Sequence, residues 1–209
     1  MKNYFVLFFI FSAMTLSSQM LKSVDAIAPF SEGLAAVRVG EEWGFINNEG
    51  RLVIDFRDDL VWNENPTTAT SDAGSIAYPK FKNGRCMIKE VLQEEGITVY
   101  GFINMQGETV ISPEYLNVTE FDQGYAIGIL LTKTFRGKNN FQLNIYQYRF
   151  SEVVLDTSGD IMHLVTQRKN ILMDKRRYDI PEIRAKYLSK EVLAVKTKDN
   201  TWELITINL

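Results

Sequence analysis

At 209 residues, 45% of them hydrophobic, and a formal charge of −3, the chain is long enough for one domain with a sizeable core. That mildly acidic balance excludes a general electrostatic pull toward nucleic acid or anionic lipid. A single cysteine, Cys86, excludes an internal disulfide, so stability must come from packing and strand pairing.

The chain opens "MKNYFVLFFIFSAMTLSSQM", with Lys2, an apolar run from Phe5 to about Leu16, and then Ser17 and Ser18. A positive start, a short apolar middle and a small-residue exit make the layout of a secretory signal peptide. The run is shorter than the ~20 residues that a helix needs to cross a bilayer. Residues 1–19 are therefore expected to be removed, leaving one domain over 20–209, and only Lys2 is charged in the removed part, so the mature charge is −3 − 1 = −4. No cysteine near the exit suggests a lipid anchor, and no later segment is apolar enough to span the membrane once the signal is gone. The expected location is exported, either periplasmic or cell-surface and extracellular.

An internal repeat follows. "FSEGLAAVRVGEEWGFINNEGRLVI" (Phe30 to Ile54) returns as "FKNGRCMIKEVLQEEGITVYGFINMQGETVI" (Phe81 to Ile111). Each opens with an aromatic, two polar residues and a glycine, runs as a strand, turns, resumes at aromatic-Gly-Phe-Ile-Asn, turns again, and ends as a strand. The added residues of the second copy fall in its first turn, where extra length is cheap because loop-closure entropy grows only logarithmically. Weaker copies begin at "FDQGYAIGILL" (121–131), with "VVLDTSGDI" (153–161) as its second turn, and at "LSKEVLAVKTKDNTWELITI" (188–207). Four units result, over about 30–56, 81–115, 121–161 and 187–209, the last degenerate and placed as a cap.

The second turn has a local cause. Asn47-Asn48-Glu49-Gly50, Asn104-Met105-Gln106-Gly107 and Asp156-Thr157-Ser158-Gly159 each place Asn or Asp first and Gly fourth. That is the preference of a type I turn whose glycine closes a bulged hairpin. In register, Ala35, Cys86, Ala126 and Leu193 coincide, then Val37, Ile88, Gly128 and Val195, with Arg38, Lys89 and Lys196 beyond them. Apolar residues alternating with basic ones predict sheets with one wet face, and put Cys86 in the core as an unreactive thiol.

The aromatic-x-x-Gly openings (Phe30 and Gly33, Phe81 and Gly84, Phe121 and Gly124), the pairs Trp43-Gly44 and Tyr100-Gly101, the Asn/Asp-x-x-Gly turns and the link "ISPEY" (111–115) resemble the WG-repeat family. The resemblance implies β architecture and export, as in bacterial exported and surface-associated proteins. It brings no catalytic residues with it.

Two insertions interrupt the repeats. "RDDLVWNENPTTATSDAGSIAYPK" (57–80) carries Trp62 and Tyr78 and is either a floppy tip or a binding loop. "TFRGKNNFQLNIYQYRF" (134–150), with Phe135, Phe141, Tyr146 and Tyr148, reads as two longer hairpin strands turning at Gly137 to Asn140. A short helix is possible at "DIPEIRAKYLSK" (179–190), with Pro181 near its first turn. The basic cluster "DKRRYD" (174–179) is flanked by aspartates and reads as a solvated strand end.

Chemistry is sparse. His163, the only histidine, alternates with Met162 and Leu164 on a strand, and alone it makes neither a metal cluster nor a convincing triad. Asp55, Asp58 and Asp59 lack the Gly and distal Glu of a calcium loop. The expected fold is all-β, an array of antiparallel meanders, with a small propeller-like ring as the alternative. The expected function is a non-enzymatic exported module that binds a protein or glycan in the bacterial envelope, with Trp62 and Tyr78 as binding residues. No catalytic, cofactor or metal residues are assigned, and no nucleic acid is expected as a partner. The alternative is a hydrolase using a carboxylate pair such as Glu94 and Glu95 or the aspartates of 55–59.

Overall fold

The computed structural model describes residues 21, 23–171, 179–189 and 191–207. The signal expected over 1–19 and most of the 174–179 cluster lie outside them. Within them the chain folds as three antiparallel meanders. The first sheet runs β1 (Ala26–Ile27), β2 (Leu34–Val39), β3 (Glu42–Asn47) and β4 (Leu52–Arg57). The second holds β5 (Cys86–Leu92), β6 (Ile97–Ile103), β7 (Thr109–Val118), β8 (Tyr125–Lys138), β9 (Asn144–Asp156) and β10 (Ile161–Ile171). The third holds β11 (Ala185–Ser189), β12 (Val192–Lys196) and β13 (Trp202–Thr206). Every strand pairs with its neighbour in sequence, and no sheet closes on itself. Pairing of β7 with β8 merges the second and third repeats into one sheet.

The Asn-x-x-Gly turns form as their sequence predicts. Asn47 Oδ1 accepts the N–H groups of Glu49 and Arg51, both at 3.0 Å, and Gly50 takes φ +74°. Asn104 and Asp156 make the same pair of bonds, with Gly107 at φ +83° and Gly159 at +91°. The same turn recurs at Asn139 to Leu143, where Gln142 takes φ +62°, and at Thr197 to Thr201, where Asn200 takes +65°. Those two lack the glycine that marks the others. The second insertion is a hairpin, but it turns at Asn139 to Gln142, while Gly137 sits at a bulge inside β8.

The aromatic-x-x-Gly openings are a different turn. Ser31 and Leu34 exchange both backbone hydrogen bonds around Glu32 (φ +51°) and Gly33 (+83°), the two-residue type I′ hairpin. Lys82 to Arg85 and Asp122 to Tyr125 repeat it.

The glycine after the aromatic has a steric cause. Trp43 pairs with Arg57 and Phe45 with Ile54, so Gly44 faces a bulge in β4, where an added Cβ would meet the Ile54 carbonyl oxygen at 2.9 Å. At Gly101 the opposing bulge contains Ser112 and Pro113, and a Cβ would lie 2.3 Å from the Ile111 oxygen. Bulges are where a strand tolerates proline, so "ISPEY" lies within β7 and is not a link between strands.

Stacking corrects the expectation of one wet face. Each repeat has two apolar faces. Ala36 and Phe45 of the first pack against Cys86, Ile88 and Ile103 of the second. Met87 and Phe102 of the second pack against Ala126 and Leu155 of the third. Ile127 and Val154 of the third pack against Leu193, Val195 and Ile205 of the fourth. The opening phenylalanine of each following unit closes the first two seams: Phe81 lies 4.8 Å from Phe45, and Phe121 lies 4.8 Å from Phe102. Arg38, Lys89 and Lys196 are only half-buried, and Arg38 turns onto the Trp43 and Trp62 rings.

The 57–80 insertion folds across the second sheet. Leu60 bridges Ile88, Asp72 bridges Thr119, and Val61, Ala73 and Ile76 are buried. Asp72 caps a single 3₁₀ turn, Ala73–Ser75, and accepts from the buried Asn117 amide at 2.8 Å. No helix forms over 179–190 in its described residues. The buried Glu152 carboxylate takes the N–H groups of Arg184 and Ala185 at 2.8 and 2.7 Å, and Ala185 onward pairs with β12. Tertiary hydrogen bonds outweigh local helix preference there.

Candidate functional site

Trp62 and Tyr78 both lie at the seam of the first two repeats, half-buried against the same core. Trp62 meets Trp43 edge-on at 5.9 Å, and the Arg38 guanidinium lies 4.8 Å from the Trp62 ring centre and 5.8 Å from that of Trp43. Such stacking of a cation on indole is attractive. Lys80 Nζ stands 5.7 Å over Tyr78. Arg38 Nε and Trp43 Nε1 are buried without a hydrogen-bond acceptor. Two donors and the Trp43 indole therefore lie behind Trp62.

A second feature lies on the opposite insertion. The β8–β9 hairpin carries Phe135, Phe141, Leu143 and Ile145 exposed, Phe141 at 82%. At its base lies a cleft of about 540 Å³ with apolar walls from Leu92, Val99, Pro113, Leu130 and Leu131. The lengthened β5–β6 tip forms one side of it.

The rim of this cleft is ionic. Lys133 Nζ binds Glu95 at 2.7 Å and also Glu94, and it lies 4.2 Å from the Tyr146 ring centre. Tyr148 donates its hydroxyl to Glu95 at 2.9 Å. Burial pushes the Glu95 carboxyl up, but hydrogen bonds from Lys133 and Tyr148 outweigh it and hold the group below the usual carboxylate range. Burial, then the bond to Glu95, pushes the Tyr148 hydroxyl up to about 12. Glu94 and Glu95 were legible as a pair. Lys133, some forty positions away in the chain, carries no local signal that would join it to them.

The remaining candidates are spread apart. Asp59 is held by Arg57 at 2.5 and 2.6 Å, and Arg57 also donates to the Gly107 carbonyl at 2.9 Å, while Asp55 and Asp58 are exposed. Cys86 is buried, and burial pushes its thiol up, as a packed, unreactive cysteine requires. His163 sits half-buried on β10 opposite Val154. Among the described residues no cluster of three or more His, Cys, Asp or Glu could hold a metal ion, and no helix is long and apolar enough to cross a membrane.

The family model described as "WG containing repeat" matches residues 24–43, 43–57 and 100–127, that is, the first repeat and the second half of the second repeat into the opening of the third. No curated protein and no solved structure matches the chain.

Proposed function

We propose that this WG-repeat-containing chain works as an exported, non-enzymatic module of the bacterial envelope that binds a protein partner through the β8–β9 hairpin. The observation that carries this is the exposed apolar tip at Phe135, Phe141, Leu143 and Ile145 beside a cleft with apolar walls. Large apolar side chains left exposed together on one hairpin mark interaction sites, and loops on a rigid scaffold are the usual carriers of recognition. The repeat strands themselves are committed to pairing and to the seams. Export rests on the layout of residues 1–19.

The hydrolase alternative is weakened by the state of its carboxylates. A general acid needs a carboxyl held above its usual range. Glu95 is held below it, and both Glu94 and Glu95 are occupied by Lys133. No cofactor enters the proposed role.

A second reading, glycan binding at Trp62 and Tyr78, is favoured by the two half-buried aromatic rings set on one seam. The apolar face of such a ring suits a sugar.

Capture from envelope extract with the full chain separates the two. A protein retained by the wild type and by Trp62→Ala, but lost with Phe141→Ser plus Leu143→Ser, supports the hairpin. Loss with Trp62→Ala alone, or retention of a polysaccharide, supports the seam. Mass spectrometry of the native protein is expected to find an N-terminus near Gln19 or Met20; an intact Met1 in the envelope fraction overturns export.

A further inference from the structure

Each end of the array leaves exposed one apolar residue whose counterparts are buried at the internal seams. Inside the chain, each seam brings a residue from the second hairpin strand of one unit against the next unit. Phe45 and Phe102 fill this role in the first two units, each capped by the opening phenylalanine of its successor at 4.8 Å. Register identifies the equivalent in the last unit. Ala36 pairs with Phe45 two places along the ladder from the Arg38–Trp43 pair, and Ala194 pairs with Leu204 two places from the Lys196–Trp202 pair. Leu204 is thus the Phe45 of the fourth unit, and it is 71% exposed. At the other end Phe30 is the counterpart of Phe81 and Phe121, which are fully buried, yet Phe30 is 53% exposed.

The hydrogen-bond ladder points the same way. Each opening turn reaches forward to the next: Glu32 accepts from the N–H groups of Asn83 and Gly84, both at 2.7 Å, and Asn83 Oδ1 accepts from Gly124 N–H at 2.6 Å. The contact has a direction, and it is the same at successive seams.

We infer that copies of this chain associate head to tail, with Leu204 and Trp202 of one copy seated on Phe30 of the next, extending the internal seam across molecules. The occupant is a second copy because the required surface is one that the chain makes itself, twice, between its own units. A contact that uses two different patches is heterologous, so it builds chains, or a ring where the rotation closes.

Sedimentation velocity of the purified protein over a wide concentration range tests this. The expected result is mass that rises with concentration beyond twice that of the monomer. Leu204→Glu and Phe30→Glu each hold the protein at monomer mass. Mixed one to one, they stop at a dimer, since each still carries one intact end. Leu204→Phe, which restores the residue type of Phe45 and Phe102, lowers the concentration for half-association about 3- to 10-fold. A single monomeric species at every concentration overturns the proposal, as does a mixture that stays monomeric or grows past dimer. Should Leu204→Glu lower the melting temperature, Leu204→Phe decides, and unchanged association refutes the contact.

Discussion

The Glu32 carboxylate accepts the backbone N–H of Asn83 at 2.7 Å, joining the opening turns of two repeats. Its second oxygen takes Gly84 N–H at the same distance, so one side chain caps both donors of a type I′ turn. Sequence separation is about fifty residues, and the seam makes the contact possible.

Glu32→Ala is therefore expected to lower stability by about 1 kcal/mol, a modest figure because the freed N–H groups are exposed and water replaces the acceptor. Glu32→Gln, which keeps one acceptor, should lose less. Urea melts give the comparison, and an alanine variant with the wild-type midpoint refutes the ladder.

The glycines are expected to rank by what an added methyl meets. Gly50→Ala has open space around it but must hold φ +74°, so it costs about 1 kcal/mol. Gly44→Ala adds a 2.9 Å contact with a carbonyl oxygen, and Gly101→Ala adds backbone contacts at 2.3, 2.7 and 2.8 Å. Gly101→Ala should cost about 3 kcal/mol or more, because backbone in a paired strand cannot move aside. Urea midpoints in any other order contradict the bulge explanation of the aromatic-Gly pair.

Stability should depend on pH through the cleft rim. The Glu95 carboxyl is held below its ordinary 4.5, so its contribution is complete above about 4.5 and is lost as pH falls through the lower folded value. Lys133→Met removes the strongest bond opposing burial. The variant should be less stable at pH 7, and its gap from wild type should narrow below about pH 4.5. On the alkaline side Tyr148 is raised from 10.0 to about 12, so its share is present below 10 and is lost between those values. Denaturant melts from pH 3 to 11 (about the range most buffers span) measure both limbs. A gap that stays constant into acid removes Glu95 from the account.

Trp62→Ala is expected to lower stability by about 2 kcal/mol, from lost apolar burial and the ring and cation contacts with Trp43 and Arg38. Phe141→Ser should stay within about 0.5 kcal/mol of wild type, being 82% exposed. Thermal and urea melts separate the two. An early-melting Phe141→Ser would make the hairpin tip structural.

Turn chemistry was legible because its causes are local. An Asn or Asp at the first position and a Gly at the fourth dictate the hairpins at Asn47, Asn104 and Asp156 without help from the rest of the molecule. The hairpins over 134–150 and 188–207 were legible, but the first was expected to turn at Gly137 to Asn140 instead of Asn139 to Gln142, because Gln142, like Asn200 in the second, stands where glycine signals the positive φ. Buried Ala35, Cys86, Ala126 and Leu193 followed from period two.

What tertiary structure alone decided is what each face meets. Period two assigns Ala36 and Met87 to the side opposite Ala35 and Cys86, but whether that side is wet depends on a neighbouring repeat, and here it is covered. The segment after Pro181 has a helical composition and becomes extended because Glu152, some thirty residues earlier, captures its N–H groups. Likewise Lys133 meets Glu95, and Arg38 meets Trp62, only after the sheets have stacked. Local residues determine turns and strand phase through short-range sterics and hydrogen bonding. Pairing between distant segments is set by burial, which no single stretch of chain can accomplish alone.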